Sequence, residues 1–442
     1  MTFKSSMNVK SLAVSFSLLF APVALAGPAG AVDIQPIVSP KGVEAWLVEE
    51  HAVPVVAVSF AFEGGSAQDP EGKAGTANLL SGLLDEGAGD LDSRAFQTAL
   101  DDASISLSFD ASRDVFSGSL RTLSENLDEA VRLTRLALTE PRFDAEPVER
   151  IRAQILTGIR AGERDPGEIA NREMMQAVFG THPYADPNEG TIDTLSAVTV
   201  DDLRTYKNKI VARDNLKVAI VGDIDPAQAG AMLDALFGDL PVKANRNGIE
   251  DVAPRSAQTI DVTLPIPQAV IQIAGNGLMR DDPDFITASV ASYILGGGSF
   301  SSRLYKEIRE KRGLAYSVWL GLIPLDHAGL WFVSTSTRAD KADEVVALIE
   351  DEVKRFAEEG PTEQELADAK AYLIGSYPLR FDTSSDIADQ LLAIQLEDLG
   401  IDYVDKRNDL IAAVTIDDIR RVSKRLFAGE DRVVVRVGTP ES

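Results

Sequence analysis

Three histidines, His51, His182 and His327, are the only imidazoles in 442 residues. They stand more than a hundred residues apart, so no two can form the i, i+4 pair with which a helix grips a metal. Each falls in a polar turn context, and His182, between Thr181 and Pro183, is expected at the surface. Cysteine is absent, which removes disulfides, thiol nucleophiles and Cys-ligated zinc or iron–sulfur centres together. Asp85 and Glu86 offer two carboxylates in a helical stretch, a pattern that is more often a solvated face than a metal site. Gly296-Gly297-Gly298-Ser299 lacks the G-x-x-x-x-G-K-[ST] spacing of a phosphate loop, so the run reads as a turn needing positive φ.

The elements that must position such residues are those of a large soluble protein. Hydrophobic residues make up 45% and charged residues 25%, and the length suggests about three domains or two large ones. Asp and Glu total 69 against 43 Lys and Arg, a formal net charge of −26 that repels phosphates and disfavours nucleic acid as a partner. Lys4 and Lys10 precede or flank a short apolar run, Ser11 to Phe20, followed by small residues in A-x-A spacing. This is the layout of a secretory signal peptide over residues 1–26, with cleavage after Ala26 or after Ala31. No later segment is apolar enough for a ~20-residue membrane span. A secreted protein is expected, periplasmic in a Gram-negative cell.

The chain repeats itself. Val198-Thr-Val-Asp-Asp-Leu203 returns as Val414-Thr-Ile-Asp-Asp-Ile419, and Leu216–Gly222 returns as Arg432–Gly438, at one offset of 216. A period that long marks a duplicated domain rather than a solenoid. Val55 to Phe62 reads as a buried strand, Ile105, Leu107 and Phe109 as one face of another, and Val346, Ile349, Val353 and Phe356 as a helical face. Strands and helices come in blocks, so the expected fold is α+β: two duplicated, similar domains of mixed sheet covered by helices. They would span 33–240 and 257–442, joined by a polar linker over 241–256.

Several passages resemble the pitrilysin/insulinase-type zinc peptidases. They are Gly42 to Val48 with Pro54 to Phe62, Asp69-Pro-Glu-Gly-Lys-Ala-Gly-Thr-Ala77, Arg142-Phe143, and His182-Pro183-Tyr184 with Gly190-Thr191. Leu295 to Ser299, Ser302 to Tyr305 and Gly313-Leu-Ala-Tyr316-Ser-Val318 continue the resemblance through the second half. It implies two such chains, or one fused chain, closing as a clamshell around an unfolded peptide. Active members carry H-x-x-E-H, with both histidines on one helical face and a glutamate activating the metal's water. The aligned positions here hold Asn78, Ser81 and Gly82, and the distal glutamate falls at Thr157 or Gly158. No zinc is therefore expected in this chain, and no peptidase activity from it alone.

Arg309 and Tyr316, seven residues apart, match a pair that the family places opposite the zinc. The resemblance gives the tyrosine hydroxyl a role in stabilising the oxyanion and the arginine a role in holding substrate carbonyls. Gly296 to Ser299 resembles, without its longer insertion, the glycine-rich loop of the non-catalytic subunit of mitochondrial processing peptidase, implying a substrate-guiding loop. Arg303 and Tyr305 are expected to be an ion-pair and a packing residue. The resulting expectation is a catalytically incompetent subunit of a heterodimeric metallopeptidase, its zinc-bearing partner homologous to it. The alternative is a non-enzymatic peptide-binding or scaffold protein of the same fold.

Overall fold

The computed structural model describes residues 33–255, 257–429 and 431–439; the signal segment lies outside them. The first half contributes β1 (Gln35–Val38), β2 (Glu44–Glu49), β3 (Val55–Glu63), the short pair β4 (Gly87–Ala88) and β5 (Leu91–Asp92), then β6 (Ser106–Ala111), β7 (Val115–Leu123) and β8 (Leu216–Gly222). The second contributes β9 (Gln258–Thr263), β10 (Gln268–Asn276), β11 (Ala315–Leu325), β12 (Ala328–Arg338) and β13 (Arg432–Thr439). The main sheets run β1-β2-β8-β3-β7-β6 and β9-β13-β10-β12-β11. Without the edge strand β1 the two orders are the same. In each, the strand that closes the half pairs parallel with its first long neighbour, β2 with β8 and β9 with β13, and the β3–β7 and β10–β12 ladders are antiparallel. The fold is the expected α+β duplication of sheet and helices.

The repeated Val-Thr motif has a local job. Thr199 and Thr415 are the N-caps of helices Val200–Ile210 and Ile416–Phe427, and Asp202 and Asp418 return the bond in full capping boxes. Strand β3 is apolar on both faces apart from Ser59 and its last residue, Glu63, because both faces are covered, whereas β6 at the sheet edge alternates.

What covers the second face was not legible beforehand. Helix Ser384–Leu396, from the second half, packs on β3 and β8 of the first sheet, where Gln395 Nε2 donates to Val218 O at 3.0 Å and Ser59 Oγ donates to Asp389 at 2.6 Å. Helix Pro166–Phe179, from the first half, packs in turn on β10 and β13. Ala170, Met174, Val178 and Phe179 there join Ala274, Leu330, Val433 and Val435 in one buried cluster. Each half thus closes the other's core. The stretch expected as a linker is pinned along its length: Asn247 N donates to Gln68 Oε1 (2.7 Å), Val252 N to His327 O (2.8 Å) and Arg255 N to Val178 O (3.0 Å).

The equivalent hairpin tips of the two sheets also meet. Asp326 N donates to Asp114 Oδ2 at 3.3 Å, Tyr184 OH donates to the other oxygen of Asp114, and His327 N donates to Tyr184 OH at 3.1 Å. His182 is half-buried here rather than at the free surface: its Nδ1 accepts from Tyr184 N and its Nε2 faces Glu250 O at 3.1 Å. Burial and the Asp114 and Glu397 carboxylates push the Asp326 carboxyl up to about 6, Glu63 adding to this and His327 opposing it. An unfolded aspartate ionises near pH 4. The folded chain holds this proton more tightly and so loses stability as pH rises from about 4 to about 6. Neighbouring groups crowd Asp326, yet solvent still reaches more than a third of its surface, so screening limits the loss to about 1 kcal/mol or less. Asp326→Asn should therefore raise the melting temperature at pH 7.5 and leave it unchanged at pH 4; equal shifts at both would refute the assignment.

Candidate functional site

The degenerate zinc positions lie on helix Thr76–Ser81 and its C-cap, Gly82. Asp69, which sequence reasoning passed over, holds the start of this helix by accepting from the backbone N–H groups of Gly75, Thr76 and Ala77 at 2.8, 3.1 and 2.9 Å. An Asp seven residues before the first helical residue has no standard capping spacing, so its capping role was not legible in the sequence. Ser81 Oγ donates back to Asn78 O at 2.8 Å, and a side chain at Gly82 would start 3.1 Å from Ile151 of helix Ala145–Gly162. On that helix Thr157 Oγ1 donates to Ala153 O at 2.7 Å, and Gly158 faces open space. One hydroxyl on each helix is already turned onto its own backbone, and the two glycines bring no donor. These residues do not fit zinc. Among the described residues no group of three His, Asp or Glu is placed to hold a metal ion.

Asp85 and Glu86 differ from expectation. Both are half-buried: Gln97 donates to Asp85, while Glu86 accepts from Arg150 and Ser93, each at 2.5 Å. They tie helix Ser93–Asp102 and helix Ala145–Gly162 to the turn after Gly82.

Arg309 and Tyr316 come together. Tyr316 opens the edge strand β11 with 82% of its surface in solvent, and the Arg309 guanidinium lies 5.1 Å from its ring centroid. The same guanidinium sits 4.9 Å from Tyr305 and 5.8 Å from Phe300, itself 70% exposed. Arg309 is thus not a solvated helix charge and has no ion-pair partner among the described residues; it is a half-buried cation lying among three aromatic rings. The Tyr316 hydroxyl makes no hydrogen bond among the described residues. Phe300 and Tyr305 are members that sequence reasoning did not place with Arg309, although F-S-S-R-L-Y, with Tyr305 four residues before Arg309, carried them in plain view. Arg303 meets expectation, with paired bonds of 2.7 Å to Glu365, and Tyr305 is 4% exposed.

Two π-helical turns lie here, Tyr293–Gly297 before Phe300 and Lys306–Glu310, which carries Arg309. The i→i+5 pattern is rare and often accompanies functional sites. The glycine run is needed for a different reason from the one expected. None of Gly296, Gly297 or Gly298 has positive φ, which falls instead on Ser299 at 45°. A Cβ on Gly296 would lie 2.4 Å from Leu320 Cβ and 2.7 Å from its backbone N, so this turn lies directly against β11. At Gly297 the nearest contact is 3.3 Å. Gly296→Ala should destabilise by about 1–3 kcal/mol through overpacking, and Gly297→Ala by less, as read in denaturant midpoints.

With this geometry established, comparison with known proteins places the chain. Residues 45–192 match the insulinase family (peptidase family M16), and residues 197–373 match the peptidase M16 inactive domain. A non-peptidase homolog, YmxG, of Helicobacter pylori is 30% identical over 76% of this chain and 78% of its own length. An uncharacterized zinc protease of Streptomyces coelicolor is 28% identical over 81% of this chain and 80% of its own. The crystal structure of a peptidase M16 inactive domain from Pseudomonas fluorescens superposes with a TM-score of 0.87 at 29% identity, over 93% of this chain and 99% of that one. The chain belongs to the insulinase family, peptidase family M16. Its fold is the one seen in that Pseudomonas fluorescens structure.

Proposed function

We propose that this chain is the catalytically incompetent subunit of a heterodimeric zinc peptidase of the periplasm, lending half of a peptide chamber and the Arg309/Tyr316 pair to a homologous zinc-bearing partner. The observation that carries the reading is an asymmetry. The zinc positions have lost every suitable donor, while Tyr316 stands exposed beside the Arg309 guanidinium, its hydroxyl unengaged among the described residues. A phenol so placed is available to donate to an oxyanion on a neighbouring chain. The non-peptidase description of the Helicobacter pylori relative supports the loss of catalysis, and the N-terminal apolar run supports export. No zinc belongs to this chain in this reading; the metal sits in the partner.

Arg309 holds substrate carbonyls before and during the reaction, so its contribution is to binding. Arg309→Ala should raise KM at least as much as it lowers kcat, measured on an unstructured peptide with the reconstituted pair, complex formation being checked by size-exclusion chromatography. Unchanged kinetics in an intact complex would refute the reading.

A further inference from the structure

A cavity of about 700 Å³ opens between the last turns of helix Ala145–Gly162, the first turns of helix Pro166–Phe179 and the loop 185–190. The volume lies within the range of small-molecule sites. Its floor is made by what the first helix lacks. A Cβ on Gly158 would meet nothing within 4 Å, and one on Gly162 would meet only the aliphatic part of Glu168, at 3.6 Å.

Arg113, from the β6–β7 hairpin tip, lines this space. Its Nε donates to Tyr184 O at 3.2 Å, which anchors the side chain. Among the described residues no carboxylate comes within ion-pair distance of it and its terminal nitrogens have no hydrogen-bond partner, although the chain carries 69 acids. Burial pulls its pKa below the ordinary arginine value, with Asp114 and Glu189 only partly offsetting this. A half-buried guanidinium whose terminal nitrogens have no protein partner is available to take an anion from solution. The geometry it offers is bidentate, which suits a carboxylate. Asp165, Glu168 and Glu189 line the same cavity against Arg113 and Arg172, a balance that disfavours polyanions, while Ile155 and Met175 give it an apolar wall.

We infer that this cavity binds the free C-terminal end of a short peptide, the α-carboxylate on Arg113 and a cationic group of the peptide toward Glu168 and Glu189. The inference needs no partner chain, so it stands or falls separately from the trans-acting role of Tyr316. The shared chemistry is that of any zwitterion with an α-carboxylate, and the test distinguishes a peptide end from a free amino acid.

The experiment is calorimetric titration of the isolated chain with an unstructured lysine-containing decapeptide, its C-terminally amidated twin, free lysine and inorganic phosphate. The free-acid peptide should bind best, with amidation weakening it about tenfold or more. Phosphate should not bind, and free lysine should bind more weakly because it leaves the apolar wall empty. Arg113→Gln should bring the free-acid peptide down to the affinity of the amidated one. Gly158→Leu fills the floor, should leave the melting temperature unchanged or higher because leucine favours helix, and should abolish binding of both peptides. Equal affinity for the two peptides, tightest binding by phosphate or free lysine, or no effect of Gly158→Leu in a folded chain would overturn the inference. So would an absence of peptide binding at millimolar concentration.

Discussion

Tyr316→Phe should lower kcat of the reconstituted peptidase by about 10²–10³, equivalent to roughly 2.7–4 kcal/mol, with kcat/KM falling in step. The substitution removes one oxygen. The ring contact to Arg309 at 5.1 Å remains, and because Tyr316 is 82% exposed its hydroxyl supports no packing that could be lost. A kinetic loss of this size can therefore come only from a hydrogen bond made outside the chain. If the variant forms the complex and turns over peptide like the wild type, the hydroxyl has no trans-acting role.

The second large effect concerns the exchanged helices. Phe179 is 1% exposed, meets Tyr184 edge-on at 5.5 Å, and belongs to a cluster drawn from both halves. Phe179→Ala should cost about 3–5 kcal/mol. Because the cavity would open beneath β10 and β13 on a helix from the first half, both halves should unfold earlier and together in denaturant. Two separate transitions, only one of them moved, would contradict the reciprocal packing.

The duplication was legible because it is written twice in residues with strong local preferences. Thr199 and Thr415 are N-caps wherever they occur before such helices, and the apolar strands ending at Gly222 and Gly438 read the same way in both halves. The exchange of helices was not legible. The apolar face of Pro166–Phe179 announces that something covers it, and hydropathy carries no address for what does. The glycine run shows the same limit: three consecutive glycines suggested a turn, whereas the constraint is the closeness of Leu320, more than twenty residues away in sequence. At the candidate site the spacing of Arg309 and Tyr316 was visible, but the stack with Phe300 and Tyr305 depends on π-helical turns that no propensity rule anticipates. Arg113 was missed because a half-buried cation without an acidic partner is defined by surroundings that only the folded chain assembles.

The most direct test of the central claim is peptide hydrolysis measured three ways: by this chain alone, by a homologous chain with intact H-x-x-E-H alone, and by the two mixed. The account predicts no zinc-dependent cleavage by this chain, weak cleavage by the other, and strong cleavage by the mixture that tracks formation of a one-to-one complex. Zinc-dependent cleavage by this chain alone, or a zinc-bearing chain whose activity is the same with and without it, would contradict the account.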